Sequence, residues 1–150
     1  MKTASLPQIS VFNRQRIVKL DRPELEEFAR RALAVCARER GSGLTKLAQV
    51  DVVFISDRRM SELHRRFMQI AGPTDVITFQ HGEIFISVET AQRQAKAQRA
   101  SPLYELRLYL VHGLLHLQGF DDRTEKDRAG MAALQERIVA AIPFPARAAG

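Results

Sequence analysis

The spacing of apolar residues changes period several times along this chain, and each change marks an element. Residues 9–12 and 16–20 alternate around a polar turn at Asn13 and Arg14, which predicts two short strands paired as a hairpin or an edge pair. At Asp21 the period lengthens. An N-cap, an early Pro23 and the capping-box acid Glu24 precede Leu25, Phe28, Ala29, Ala32, Leu33 and Cys36 at helical spacing, predicting a helix that runs on toward Gly41. The run QVDVVFI at 49–55 is β-branched and aromatic and predicts a strand. Asp57 is then placed to cap a short helix that turns Met60, Leu63 and Phe67 inward and holds Arg58, Arg59, Arg65 and Arg66 on its polar side.

Gly72 and Pro73 predict a turn, and beyond it VITF and EIFIS read as two strands tightly linked through His81 and Gly82, a hairpin. Residues 88–98 have helical propensity. Ser101 and Pro102 begin another helix as cap and first-turn proline, Leu103, Leu106, Leu110, Leu114 and Leu117 run along it, and Gly119 is placed to end it. Thr124 caps a last helix reaching to near Ala140, closed off by Pro143 and Pro145. Together these elements predict an α+β fold, a single domain with one mixed β-sheet of about four to five strands packed with about five helices. The domain is expected to occupy residues 1–140, with 141–150 a mobile tail of small residues.

Composition narrows the class without changing this picture. A chain of 150 residues, 45% hydrophobic and 27% charged, excludes intrinsic disorder. A domain of that size buries ~68–70% of its unfolded surface and needs no covalent staples. The single Cys36 has no partner for an internal disulfide and sits on an apolar helix face, so it reads as a small core residue. There is no signal-like apolar run at the start and no stretch near the ~18 apolar residues of a membrane helix. A cytoplasmic protein with no membrane partner is the expectation. Lys and Arg number 23 against 17 Asp and Glu, a net +6 that attracts polyanions without specifying one.

The chemistry is concentrated in VHGLLHLQGFDD, residues 111–122. His112 and His116 are four apart on a predicted helix, so both imidazoles project from one face at the spacing that lets two nitrogens grip one metal. Gly119 breaks the helix and lets the chain fold back, bringing a carboxylate from Asp121 or Asp122 to the same point. Three protein ligands and one open position is the catalytic kind of site, whereas a structural zinc site is normally closed by four ligands, usually including cysteine. Two histidines on a leucine-rich helix can equally be core residues, but burying unpaired imidazoles in so apolar a helix is costly, which favours the metal. Zinc peptidases of the HExxH type place a glutamate base beside the first histidine. Gly113 stands there, which argues against peptide hydrolysis.

The segment from His112 to Asp121 resembles the signature of the YbeY family, metal-dependent endoribonucleases tied to ribosomal RNA maturation, which runs His-Gly-x-Leu-His-Leu-x-Gly-Tyr-Asp-His. The run PTDVITF at 73–79 is similar to the family's Pro-Thr-Asp-Val-Leu-Ser-Phe, and GEIFIS at 82–87 to its Gly-Asp-Ile-x-Ile-Ser strand. The resemblance covers residues 50–140 and implies one divalent metal, zinc first among the candidates, held by His112, His116 and Asp122. The family's third histidine falls on Asp122, which makes the site harder and more anionic. An arginine that the family carries before the Pro-Thr-Asp segment falls on Met68, and Arg65 or Arg66 is the nearest substitute.

The implied activity is single-strand-specific endoribonuclease action in ribosomal RNA processing and ribosome maturation, with ribosomal RNA as substrate and ribosomal proteins as further partners. Asp121 and Glu83 are the candidates to orient the metal-bound water or a metal ligand, and Arg65 and Arg66 to guide RNA phosphates. Two alternatives stand beside it: a metal-dependent hydrolase of another substrate, and a non-catalytic RNA-binding assembly factor with a structural metal, which the Met68 position makes pertinent.

Overall fold

A computed structural model describes residues 5–143 apart from Ala71 and Pro73. Among these, four strands form one mixed sheet: β1 (Gln8–Asn13), β2 (Gln49–Ile55), β3 (Val76–Phe79) and β4 (Glu83–Ser87), in the spatial order β1-β2-β4-β3. β2 runs parallel to both neighbours, with Val52 between Val11 and Ile84, while β3 is antiparallel to β4, with Ile77 opposite Phe85. Parallel neighbours need a crossover rather than a tight turn. Helix α1 (Arg22–Cys36) and a 3₁₀ turn (Leu44–Lys46) provide one between β1 and β2, and α2 (Asp57–Met68) with β3 provides the other between β2 and β4. Helices α3 (Val88–Ala97), α4 (Pro102–Gln118) and α5 (Glu125–Ala141) complete the α+β domain.

The period-two alternation of the strands divides the apolar residues between two layers. Val50, Val52, Phe54, Ile84 and Ile86 face the large core, where they meet Leu25, Phe28 and Leu33 of α1, Ala91 of α3, and Leu134 and Ile138 of α5. Val53, Ile55 and Ile77 face the other way and pack in a smaller cluster with Met60 and Leu63 of α2, flanked by the half-buried Phe79 and Phe85. Helix α4 lies within the large core, with Leu106, Leu110, Leu114 and Leu117 almost wholly buried. Burying each such leucine contributes ~1.5–3 kcal/mol of transfer free energy. Its approach to the sheet is so close that a Cβ on Gly113 would lie 2.6 Å from Ile84 Cγ2. No described helix is long and apolar enough to cross a membrane.

Four expectations are corrected. Residues 16–20 form no strand, because β1 pairs in parallel with β2 instead of with them. The Gln15 side chain takes up the local hydrogen bonds, accepting from the backbone N–H groups of Ile17 and Val18 and donating to the Val18 carbonyl. Helix α1 ends at Cys36 rather than near Gly41, where the carbonyls of Ala37, Glu39 and Gly41 turn to accept from Gln118 of α4. Ser56, not Asp57, caps α2: its Oγ accepts from Arg59 N, while the Asp57 carboxylate accepts from Ser87, Thr90 and Arg93 and so ties α2 to α3. Phe67 does not turn inward. It is 54% exposed, meeting Phe79 of β3 edge-on rather than joining the buried cluster around Met60 and Leu63. Pro73, Pro145 and most of the expected tail at 141–150 lie outside the described residues; α5 itself runs to Ala141.

Candidate metal centre

His112 and His116 sit one turn apart at the C-terminal end of α4, where Gly119 closes the helix at φ +123°, a conformation that only glycine adopts without strain. Phe120 N donates back to the Leu115 carbonyl, and the reversed chain brings Asp122 over the two rings. The His112 and His116 Nε2 atoms are 3.0 Å apart, and Asp122 Oδ2 lies 3.6 Å from the first and 3.4 Å from the second. A tetrahedral ion bonded at ~2.1 Å to each ligand holds its donor atoms ~3.4 Å apart. The donor set therefore fits a small divalent cation.

The outer partners fix which nitrogen is free. His112 Nδ1 donates to Gln135 Oε1 of α5 at 2.5 Å, and His116 Nδ1 donates to the Phe120 carbonyl at 3.0 Å. With both Nδ1 atoms protonated, two Nε2 lone pairs and a carboxylate oxygen converge with no hydrogen between them, an arrangement that a cation relieves. Burial holds His112 below the usual histidine range, opposed by its contact with Gln135 and reinforced by the neighbouring His116. The neutral imidazole so favoured is the form that ligates. The ligand-bearing turn is braced from behind by buried Gln118, which donates to the carbonyls of Ala37, Glu39 and Gly41 and accepts from Leu44 N.

The three side chains open onto a cavity of about 350 Å³ beneath the edge strand β3, walled by Met68, Thr74, Asp75, Thr78 and Gln80. Asp75 was not singled out in the sequence, although it stands within the PTDVITF run. Its Oδ1 accepts from Val76 N and Thr74 Oγ1, which orients the carboxylate, and its charge reaches His112. Thr78 Oγ1 is buried without a hydrogen-bond partner on the same wall. Gln135 was likewise not foreseen; it is 23 residues from His112, and nothing in its local pattern distinguishes it from any polar helix residue.

The other expected site residues lie elsewhere. Asp121 lines a separate cavity with Arg40, Lys126 and Arg137, and its carboxylate accepts from Arg123 N. Glu83 engages His81 at 2.6 Å and faces a cleft on the opposite side of the sheet, with Phe12, Arg14 and Phe85. Arg65 and Arg66 are exposed on α2, near Met68 but not on the cavity wall. Among the described residues, no arginine or lysine lines that cavity.

The profile of the family described as Endoribonuclease YbeY matches residues 10–143. The chain belongs to the YbeY family. An Endoribonuclease YbeY of Thermus thermophilus is 39% identical over 123 residues, covering 74% of this chain and 86% of the relative. Another, of Synechococcus sp. (strain CC9902), is 41% identical over 101 residues, and there the match spans just over half of either protein, 57% of this chain and 56% of the relative. The solution structure of TM1509 from Thermotoga maritima shares the fold, with a TM-score of 0.62 and 21% identity over 93% of this chain and 99% of that one. The YbeY relatives are named as endoribonucleases, hydrolases that act on RNA. In this YbeY-family chain, the His112, His116 and Asp122 cluster is the described group of side chains suited to a metal.

Proposed function

We propose that this chain is a metal-dependent, single-strand-specific endoribonuclease of the cytoplasm that acts in ribosomal RNA processing and ribosome maturation, with ribosomal proteins among its partners. The observation that carries the reading is the convergence of His112 Nε2, His116 Nε2 and Asp122 Oδ2 at ligand spacing on the floor of an open cavity, in a member of an endoribonuclease family. Zinc heads the candidate ions, and the carboxylate of Asp122 also suits harder divalent metals.

Bound there, a divalent ion lowers the pKa of water toward ~7 and offsets charge on phosphoryl oxygens. The protein's part is geometric and protic. Gln135 and the Phe120 carbonyl hold the imidazoles so that both Nε2 atoms face the cavity. Asp75, oriented by Val76 N–H and Thr74 on the cavity wall, accepts a proton from the attacking oxygen. Arg65 and Arg66, exposed beside the cavity, contact phosphates of the strand that enters it.

Incubation with single-stranded ribosomal RNA fragments at low salt with added Zn²⁺ tests this reading, the protein and its His116→Ala variant being prepared identically. Cleavage by the parent alone is expected, and equal cleavage by both would assign the activity to a contaminant. One observation favours a second reading: with Met68 on the cavity wall and no cation there, the chain fits an assembly factor that binds RNA without cutting it. RNA binding that survives metal removal, with no cleavage under any divalent metal, would select that reading. A peptide panel tests the remaining hydrolase alternative, which Gly113 opposes.

A further inference from the structure

The strand that borders the metal cavity also borders a second groove. Alternation along β3 and its turn sends Thr78 and Gln80 to the metal side and Phe79 and His81 to the other. The end of α2 divides in the same way, with Met68 on the metal cavity and Phe67 on the second groove. This groove, of about 340 Å³, is built from rings. Phe79 meets Phe67 edge-on at 5.2 Å, Phe85 edge-on at 5.8 Å, and His81 in a stacked arrangement at 5.8 Å. Phe67 is 54% exposed, and the Arg66 guanidinium lies 5.4 Å from its ring centre. Arg59 completes the rim. The acids nearby are Glu62, which pairs with Arg59 at 2.9 Å, and Glu83, which pairs with His81.

We propose that this groove is a base-stacking subsite for single-stranded RNA, occupied by a nucleotide next to the scissile phosphate after the strand crosses the edge of β3. The inference rests on the ribonuclease reading above and adds a substrate contact to it. Three features favour RNA over a protein partner. Exposed rings interleaved with guanidinium groups are what a sequence-tolerant single-strand surface requires, since every base has a face to stack and every step a phosphate. The charge suits a polyanion: α2 carries four arginines against two acids, and one of those acids, Asp57, is already taken by Arg93. Only the edge strand β3 and the end of α2 separate the groove from the metal cavity, with Phe67 on one and its neighbour Met68 on the other, so a nucleic-acid strand held at one reaches the other by crossing that edge.

The test is RNA affinity, measured by fluorescence anisotropy on metal-free protein with a short single-stranded RNA and with an abasic strand of equal length. Phe67→Ala is the variant of choice, because an exposed side chain can be removed without unfolding the protein. The expected loss is ~5- to 150-fold for the RNA, from the ~1–3 kcal/mol that one stacked base contributes. Phe67→Trp is expected to restore it, and the abasic strand to bind parent and variant alike. Unchanged affinity in Phe67→Ala, while the parent binds and cuts RNA, overturns the subsite and leaves the ribonuclease reading intact. Concentration-dependent self-association abolished by Phe67→Ala, with RNA affinity unchanged, overturns it in favour of an interface between copies. Failure of the parent to bind RNA at all, with or without added Zn²⁺, removes the ribonuclease reading itself, and the subsite with it.

Discussion

The two faces of the sheet have been treated very differently. One is covered by α1, α3, α4 and α5 and forms a continuous core from Ile9 to Ile142, while the other is covered by α2 over only part of its length. The covered face supplies stability and precision: both histidines are carried by a helix buried in that core, with Gln135 reaching in from α5 and Gln118 of the same helix tying its end to the loop after α1. The open face leaves Phe12, Phe67 and Phe79 in reach of solvent, among arginines. Rigid placement of a reacting centre and adaptable capture of a flexible polymer make opposite demands on packing, and here each has its own side of one sheet.

Three measurements sharpen or break this contrast. The largest effect is expected in stability. Leu114→Ala empties a fully buried position of α4 and should cost ~2–5 kcal/mol, whereas Phe67→Ala should stay within ~0.5 kcal/mol in denaturant unfolding. Comparable losses would mean that the open face is structural after all. Next comes Gln135→Ala, which removes the acceptor of His112 Nδ1–H and is expected to weaken metal affinity ~10- to 100-fold with little change in unfolding, as calorimetric metal titration would report. An unchanged affinity would separate Gln135 from the site.

The smallest effect concerns the joint between the faces. Asp57 pays a desolvation penalty that raises its pKa, but hydrogen bonds from Arg93, Ser87 and Thr90 outweigh it and hold the carboxyl below the usual aspartate range. A carboxyl depressed on folding contributes stability above its unfolded pKa of ~4 and loses it as pH falls through the folded value. Asp57→Asn should therefore be less stable than the parent by about 1–3 kcal/mol at neutral pH, with the gap closing below pH ~4. A gap independent of pH would mean that shape, rather than charge, makes the joint.

Much of this was legible in the sequence because the governing signals are local. Helical spacing from Leu25 to Cys36 and along α4, the caps at Asp21, Ser101 and Thr124, and the VITF and EIFIS hairpin all have their causes within a few residues. The errors arose where distant partners decide. Residues 16–20 alternate like a strand, yet the free edge of β2 paired with β1 across about forty positions and left Gln15 to organise the turn. Phe67 keeps helical phase with Met60 and Leu63, but phase does not reveal where the sheet beneath a helix ends. At the site, His112, His116 and Asp122 share one helix and its turn and could be read together. Asp75 arrives from another element, 37 positions before His112, and although it stands in the PTDVITF run, nothing in that run says which cavity its carboxylate faces.

Gly113 has a consequence for the history open to such a chain. The glutamate that makes a peptidase of a paired-histidine helix would have to enter beside His112, where even a methyl group meets Ile84 at 2.6 Å. Acquiring it would first require Ile84 to shrink or α4 to lift from the sheet, each a loss to be survived before any new chemistry could be selected. Packing beneath the helix thus acts as an evolutionary ratchet, keeping the lineage on the chemistry it already has.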